Sequence, residues 1–210
     1  MPSRRLLYVA DPMCSWCWGF SPVIERIEAA YGERAPIRLV AGGLRVGTET
    51  PMDDRAKAYI RSHWQHVRET TGQPFNFEFF ERQDFIYDTG PACRAVVAVR
   101  NLAPENWLAY FKAVQRAFYV ENRDVTRNDV LADVADACGL DRDAFAMVYA
   151  SDEIGESLAA DFAGVQAMQI GGFPALLVQD DEGVAFLTVG YRSFAALQPL
   201  IERWLQDRQA

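Results

Sequence analysis

Two cysteines separated by Ser15 and Trp16 stand in the stretch DPMCSWCWGFSP, residues 11–22, crowded by aromatic side chains and closed by Pro22. A Cys-x-x-Cys pair can hold a metal, cross-link a fold or run thiol–disulfide exchange. Zinc takes four ligands, yet the chain has no second Cys-x-x-Cys, and His63 and His66 fall in a separate, otherwise polar segment that reads as a solvated helix face. Cys93 and Cys138 complete apolar patterns and read as small core residues rather than a second redox pair. Four cysteines in 210 residues are too sparse for a disulfide-stapled scaffold. Redox chemistry is the reading that the context favours, with no metal. Cys14 is expected to be the exposed nucleophile and Cys17, one helical turn on, the more buried resolving thiol.

That chemistry needs a strand before the pair and a helix after it. RLLYVAD, residues 5–11, is a short apolar run ended by Asp and Pro, which suits a buried strand. Phe20, Val23, Ile24, Ile27 and Tyr31 then recur at helical spacing, with Gly32 as the stop. Cys14 thus falls at the helix start, where unpaired N–H groups and the positive end of the dipole stabilise a thiolate. PIRLVAGGL, residues 36–44, reads as a second strand, making a βαβ unit with a parallel pair. From about Thr50 to Gln169 the periodicity is helical. Trp107, Phe111, Val114 and Phe118 share one face, as do Val130, Leu131, Val134, Ala135 and Cys138. Strands return in FPALLVQDDEGVAFLTVG as a hairpin turning near Gly183, followed by a last amphipathic helix through Phe194, Leu197, Ile201, Trp204 and Leu205. The pattern predicts an α/β fold: a four-stranded mixed sheet, βαβ then ββα, interrupted by helices. The sheet-bearing domain takes 1–48 and 169–210, and the helical insertion takes 49–168.

With 21 basic and 29 acidic residues the net charge is −8, which argues against nucleic acid and anionic membrane surfaces as partners. The apolar run after Arg4-Arg5 falls short of the roughly 7–15 residues of a secretory signal, and nothing approaches the ~18 of a membrane span. A cytoplasmic location is expected. FNFEFFERQDF packs Phe75, Phe77, Phe79, Phe80 and Phe85 into one stretch, and its alternation suggests an extended segment, either core or a hydrophobic lip beside the cysteines.

CSWCWGFSPVIERIEAAYG resembles the active-site helix of the thioredoxin fold, with a proline, Pro22, a few residues past the pair. QIGGFPALLVQDDEGVAFLTVGYRSFAALQPLIERWL is similar to the C-terminal half of that fold, and the helical block between them is the mark of the DsbA-like branch. The resemblance implies a thiol–disulfide oxidoreductase or isomerase acting on protein or small-molecule disulfides. It needs no bound cofactor, with glutathione as a candidate co-substrate. It also implies that Pro174 follows a cis peptide bond facing the cysteines, leaving the backbone of Phe173 to pair with substrate, and that Phe173, Pro174, Ser15 and Trp16 surround the substrate site. Of the two tryptophans, Trp16 is expected to be the substrate contact.

Two positions depart from the family. Thioredoxins and DsbA carry a buried acid six residues before the first cysteine, where this chain has Tyr8. The intervening dipeptide is Ser-Trp, in a family whose potentials run from about −270 mV to about −120 mV, so direction of electron flow is not fixed by sequence. Two related activities stay open. One is a glutathione-dependent isomerase or transferase of the 2-hydroxychromene-2-carboxylate or kappa-class type, against which the second cysteine argues. The other is a non-catalytic adapter that presents its helical domain to a protein partner.

Overall fold

The strand before the cysteines, β1 (Arg5–Ala10), is buried at every position after Arg5. Its side chains alternate between two packed faces. Leu6, Tyr8 and Ala10 enter the main core, while Leu7 and Val9 join a smaller cluster with Val40, Val165, Ile170, Ala175 and Leu177. A strand covered on both sides reads as an unbroken apolar run, which is why periodicity two is invisible there.

In the computed structural model, which describes residues 4–206, β1 lies in the middle of a four-stranded mixed sheet of order β2-β1-β3-β4. β2 (Ile37–Ala41) pairs parallel to it, β3 (Ala175–Asp180) antiparallel, and β4 (Gly183–Val189) closes the hairpin on β3. The hairpin turns through Asp181 and Glu182 into Gly183 at φ 132°. The helix α1 (Ser15–Tyr31) joins β1 to β2 and α8 (Phe194–Gln206) follows β4; α1 contains Pro22 and α8 contains Pro199.

Between β2 and β3 run six α-helices: α2 (Asp54–Thr71), α3 (Gly90–Leu102), α4 (Trp107–Tyr119), α5 (Asn128–Ala137), α6 (Arg142–Ala150) and α7 (Asp152–Ala167). Local signals set several of their ends. The Asp53 and Asp141 carboxylates accept from the N–H groups of Ala56 and Ala144 at 2.7 Å, and the Ser151 hydroxyl accepts from Ile154. One apolar cluster extends without a break from the sheet into these helices. The outer edge of β2 is also covered by them. Asp161 of α7 accepts from the Ala41 N–H at 2.8 Å, and Arg100 of α3 donates to the Leu39 carbonyl at 2.7 Å and to Asp161 at 2.6 Å. Backbone groups that would leave an open strand edge are thereby satisfied.

The phenylalanine-rich stretch departs from the extended form that its alternation suggested. Phe77–Glu81 is a turn of 3-10 helix, and Phe79 and Phe80 are both buried against Trp64 at centroid distances of 5.0 and 4.8 Å. Adjacent residues can both face inward around one large ring in a helical turn, whereas a strand would have sent one of them to solvent. Core packing is what these rings do; Phe75 and Phe77 are half-buried at its margin.

Candidate functional site

Cys14 occupies the cap position of α1, with extended backbone (φ −87°, ψ 118°), and its carbonyl accepts the first helical hydrogen bond from the Trp18 N–H at 3.0 Å. No side chain caps this helix start. The sulfur therefore sits at the positive end of a 17-residue helix dipole that nothing else neutralises in the first turn. The Cys14 thiol donates to the Phe173 carbonyl at 3.6 Å, and the Phe173–Pro174 peptide bond is cis. Phe173 also packs closely against Gly42 just after β2, where an added Cβ would stand 2.7 Å from its ring. Only glycine leaves room for that approach.

The exposed nucleophile expected from the sequence is corrected: Cys14 is 5% exposed and Cys17 fully buried, both as free thiols. The order of burial is as expected, but α2 and the loop after β2 roof the first cysteine. Burial pushes the Cys17 thiol well above its ordinary value, and the neighbouring Cys14 sulfur adds to the effect. Beneath the pair, Tyr8 fills the position of the family's buried acid. Its hydroxyl abuts Cys17, has no oxygen or nitrogen partner, and is pushed up by burial first and by the two sulfurs next.

A carboxylate lies close by that the sequence reading passed over. Asp11 is fully buried; it accepts from the Met13 N–H at 2.8 Å, from the Leu44 N–H at 2.7 Å and from the Cys93 thiol at 3.3 Å. Burial raises its pKa, and the hydrogen bonds oppose the rise. Cys93 is thus core, but with a polar partner, and Cys138 is half-buried rather than fully so. Asp11 was visible as a lone acid closing an apolar run, whereas its partners come from 33 and 82 residues away.

A cavity of about 290 Å³ opens beside Cys14. Ser15, Trp16, Gly172 and Phe173 line it on the thioredoxin side, with Leu44 and Arg45 from the loop after β2. Tyr59 and His63 of α2 and Tyr87 close it from the helical side. Pro174 is buried behind Phe173 and does not face the cavity. The solvated face assigned to the two histidines holds for His66, which is exposed, and is corrected for His63. His63 is half-buried in the cavity wall with its ring 4.4 Å from Tyr59, and His66 meets the edge of Trp16 at 5.3 Å. Helix α2 is polar along most of its length, so the one stripe of Ile60, Trp64 and Val67 that turns it onto this site was easily overlooked. Trp16 stays half-exposed at the rim, while Trp18 is buried, stacked on Tyr119 at 6.1 Å with its N–H donating to the Pro74 carbonyl at 3.0 Å. Among the described residues, no three His, Cys, Asp or Glu side chains are grouped to hold a metal, and no helix is long and apolar enough to cross a membrane.

Comparison with known proteins agrees with this architecture. A candidate protein disulfide isomerase from Nitrosomonas europaea is 43% identical, with 98% of each chain covered and a TM-score of 0.92. The cytosolic disulfide reductase DsbM from Pseudomonas aeruginosa, also solved with GSH, is 25% identical over 98% of this chain and 100% of that one, at a TM-score of 0.80. Among curated proteins, the ClpXP adapter protein SpxH of Halalkalibacterium halodurans is 22% identical over 83% of this chain, which spans 59% of that relative's length. The model of the DSBA-like thioredoxin domain matches residues 5–202, and the chain belongs to that family.

Proposed function

We propose that the chain is a thiol–disulfide oxidoreductase working through Cys14 and Cys17. The observation that carries the reading is the placement of the Cys14 sulfur, at an uncapped helix start and 3.6 Å from the carbonyl that precedes the cis proline, with Cys17 buried one turn behind it. The Cys14 thiolate attacks one sulfur of a substrate disulfide; a mixed disulfide forms and the other substrate sulfur leaves as a thiolate that takes up a proton. Cys17, losing its proton, then attacks the Cys14 sulfur. The Cys14–Cys17 disulfide forms, and the substrate departs with two electrons and its second thiol. Run backwards, the same steps oxidise a dithiol. Phe173 offers its carbonyl at the point where an extended or small substrate would align.

Glutathione fits as the co-substrate that recharges the pair: the DsbM structure with GSH and the size of the cavity both support it. We place the protein in the cytoplasm on the strength of the same relative, a cytosolic reductase. Equilibration in glutathione redox buffers, with quenched thiols counted by mass spectrometry, tests the reading. A two-electron couple confined to Cys14 and Cys17 is expected. Cys14→Ser should abolish exchange, and Cys17→Ser should accumulate the Cys14 mixed disulfide. Undiminished exchange without Cys14 would overturn the proposal.

The SpxH relatives favour a second reading, a protein adapter, in which the helical insertion holds a partner. Partner binding that survives loss of both cysteines would distinguish it. An isomerase of the 2-hydroxychromene-2-carboxylate type would show as turnover of an aromatic substrate by the Cys17→Ser variant with glutathione bound.

A further inference from the structure

We propose that Arg45 is a specificity-determining residue, recognising a carboxylate on a small disulfide held in the cavity beside Cys14. The inference rests on the oxidoreductase reading and names the substrate class for it. The chain carries a net charge of −8, yet no aspartate or glutamate lines this cavity, while Arg45 and His63 do. A wall that carries a cation and no carboxylate on an acidic protein selects for anions.

Arg45 is held for that purpose. Its backbone N–H donates to the Thr89 hydroxyl at 3.1 Å, and its carbonyl accepts from the Thr89 N–H at 3.1 Å. The adjacent Leu44 N–H is fixed on the buried Asp11 carboxylate at 2.7 Å. Its guanidinium lies over the Tyr87 ring at 5.4 Å, and Tyr87 is anchored in turn by donating its hydroxyl to the carbonyl of Met13, next to Cys14, at 2.6 Å. The cation is therefore tied to the nucleophile through one aromatic ring. It is half-buried, and among the described residues it forms no ion pair. An aromatic face satisfies the charge but none of the five N–H donors, so a planar carboxylate would find them free and in a fixed orientation. At about 290 Å³ the cavity lies at the lower end of the range for small-molecule sites. That size takes one arm of a low-molecular-weight disulfide, such as one glutathionyl half, with the other arm outside the mouth.

Two small disulfides separate this idea from the one it rests on: glutathione disulfide, which carries carboxylates, and bis(2-hydroxyethyl) disulfide, which carries none. Exchange kinetics with each would be measured for the wild-type chain, R45Q and R45K, with thermal melts to check folding. R45Q should lower kcat/KM for glutathione disulfide roughly tenfold, chiefly through KM, as expected for losing a charge-assisted hydrogen bond. The uncharged disulfide should change less than about twofold, since it has no partner for the guanidinium. R45K, which keeps the charge and loses the planar fork, should recover part of the preference, and salt should erode it. An equal fall for both disulfides, or no change for either, would overturn the role of Arg45 while leaving the oxidoreductase reading intact. Wild-type protein that exchanges neither disulfide would overturn both.

Discussion

Below Cys14 the molecule is closed and polar; around it the molecule is open and aromatic. The floor is made of Tyr8, Asp11, Cys17 and Cys93, each fully buried or nearly so, and each pushed toward its protonated form by the same cause, loss of water. The rim is made of Trp16, Tyr59, His63 and Arg45, which keep part of their surface in solvent and rest on aromatic rings, Trp16 against His66, Tyr59 against His63 and Arg45 over Tyr87. A buried group can alter the proton inventory of the thiols but cannot touch a substrate; a rim group can do the reverse. The two regions should therefore fail differently when mutated, in stability and pH dependence for the floor and its packing, and in substrate preference for the rim.

Two tryptophans test that division with the largest effect. Trp64 is fully buried at the back of the cavity wall and meets Phe75, Phe79, Phe80, Phe118 and Tyr119, whereas Trp16 is half-exposed at its rim. Trp64→Ala should cost about 3–5 kcal/mol in urea denaturation, through lost burial and the cavity left behind. Trp16→Ala should cost less than about 1 kcal/mol, as for a residue that keeps much of its water. Exchange rates on small disulfides should nevertheless fall in the Trp16 variant. Comparable losses of stability at the two positions would erase the distinction between rim and packing.

Asp11 gives a smaller effect with a definite sign. Its folded-state pKa is raised above the ordinary aspartate value, so the folded state binds the proton more tightly than the unfolded chain. The stability this contributes is fully present below the unfolded value, near 3.9, and is lost as pH rises through the folded one. Denaturation across that window should show the wild-type chain losing ground, with rising pH, relative to Asp11→Asn, whose side chain does not titrate. Parallel profiles would show that the hydrogen bonds from Met13, Leu44 and Cys93 hold the carboxylate at its ordinary value. The floor would then be electrostatically neutral in its effect.

What sequence made legible follows the range over which each feature is determined. β1 and α1 are set by neighbours in the chain: an unbroken apolar run, then a 3.6-residue stripe from Phe20 to Tyr31, and both form as expected. The Cys14 position at the helix start is equally local. Its burial is not, because α2 and the loop after β2 arrive from 30 and more residues away, and nothing near Cys14 encodes them. Helix α3 falls inside the block read as helical, but its own bounds are not marked there, for another reason. Its run from Ala95 to Val99 is buried at every position, so no polar face marks a period. Arg45 had no local signal at all, being a single cation in a loop whose meaning comes from Tyr87 and Thr89.

Tyr8 offers the finest probe of the floor. A hydroxyl buried without a partner forfeits its hydration for nothing, a cost of about 1–3 kcal/mol, offset where a thiol takes the place of an oxygen partner. Tyr8→Phe keeps the ring between Phe20 and Phe111, at 5.8 and 5.9 Å, and removes only that oxygen. Stability should therefore hold or rise by up to about 1 kcal/mol in the reduced protein. A loss of that size instead would show that the hydroxyl is satisfied by Cys17. Comparing reduced and oxidised protein then locates the interaction. A tyrosine that serves the free thiol loses its partner when Cys17 enters the disulfide, so the Phe variant should be relatively more stable oxidised than reduced, whereas a purely packed tyrosine would give the same difference in both states.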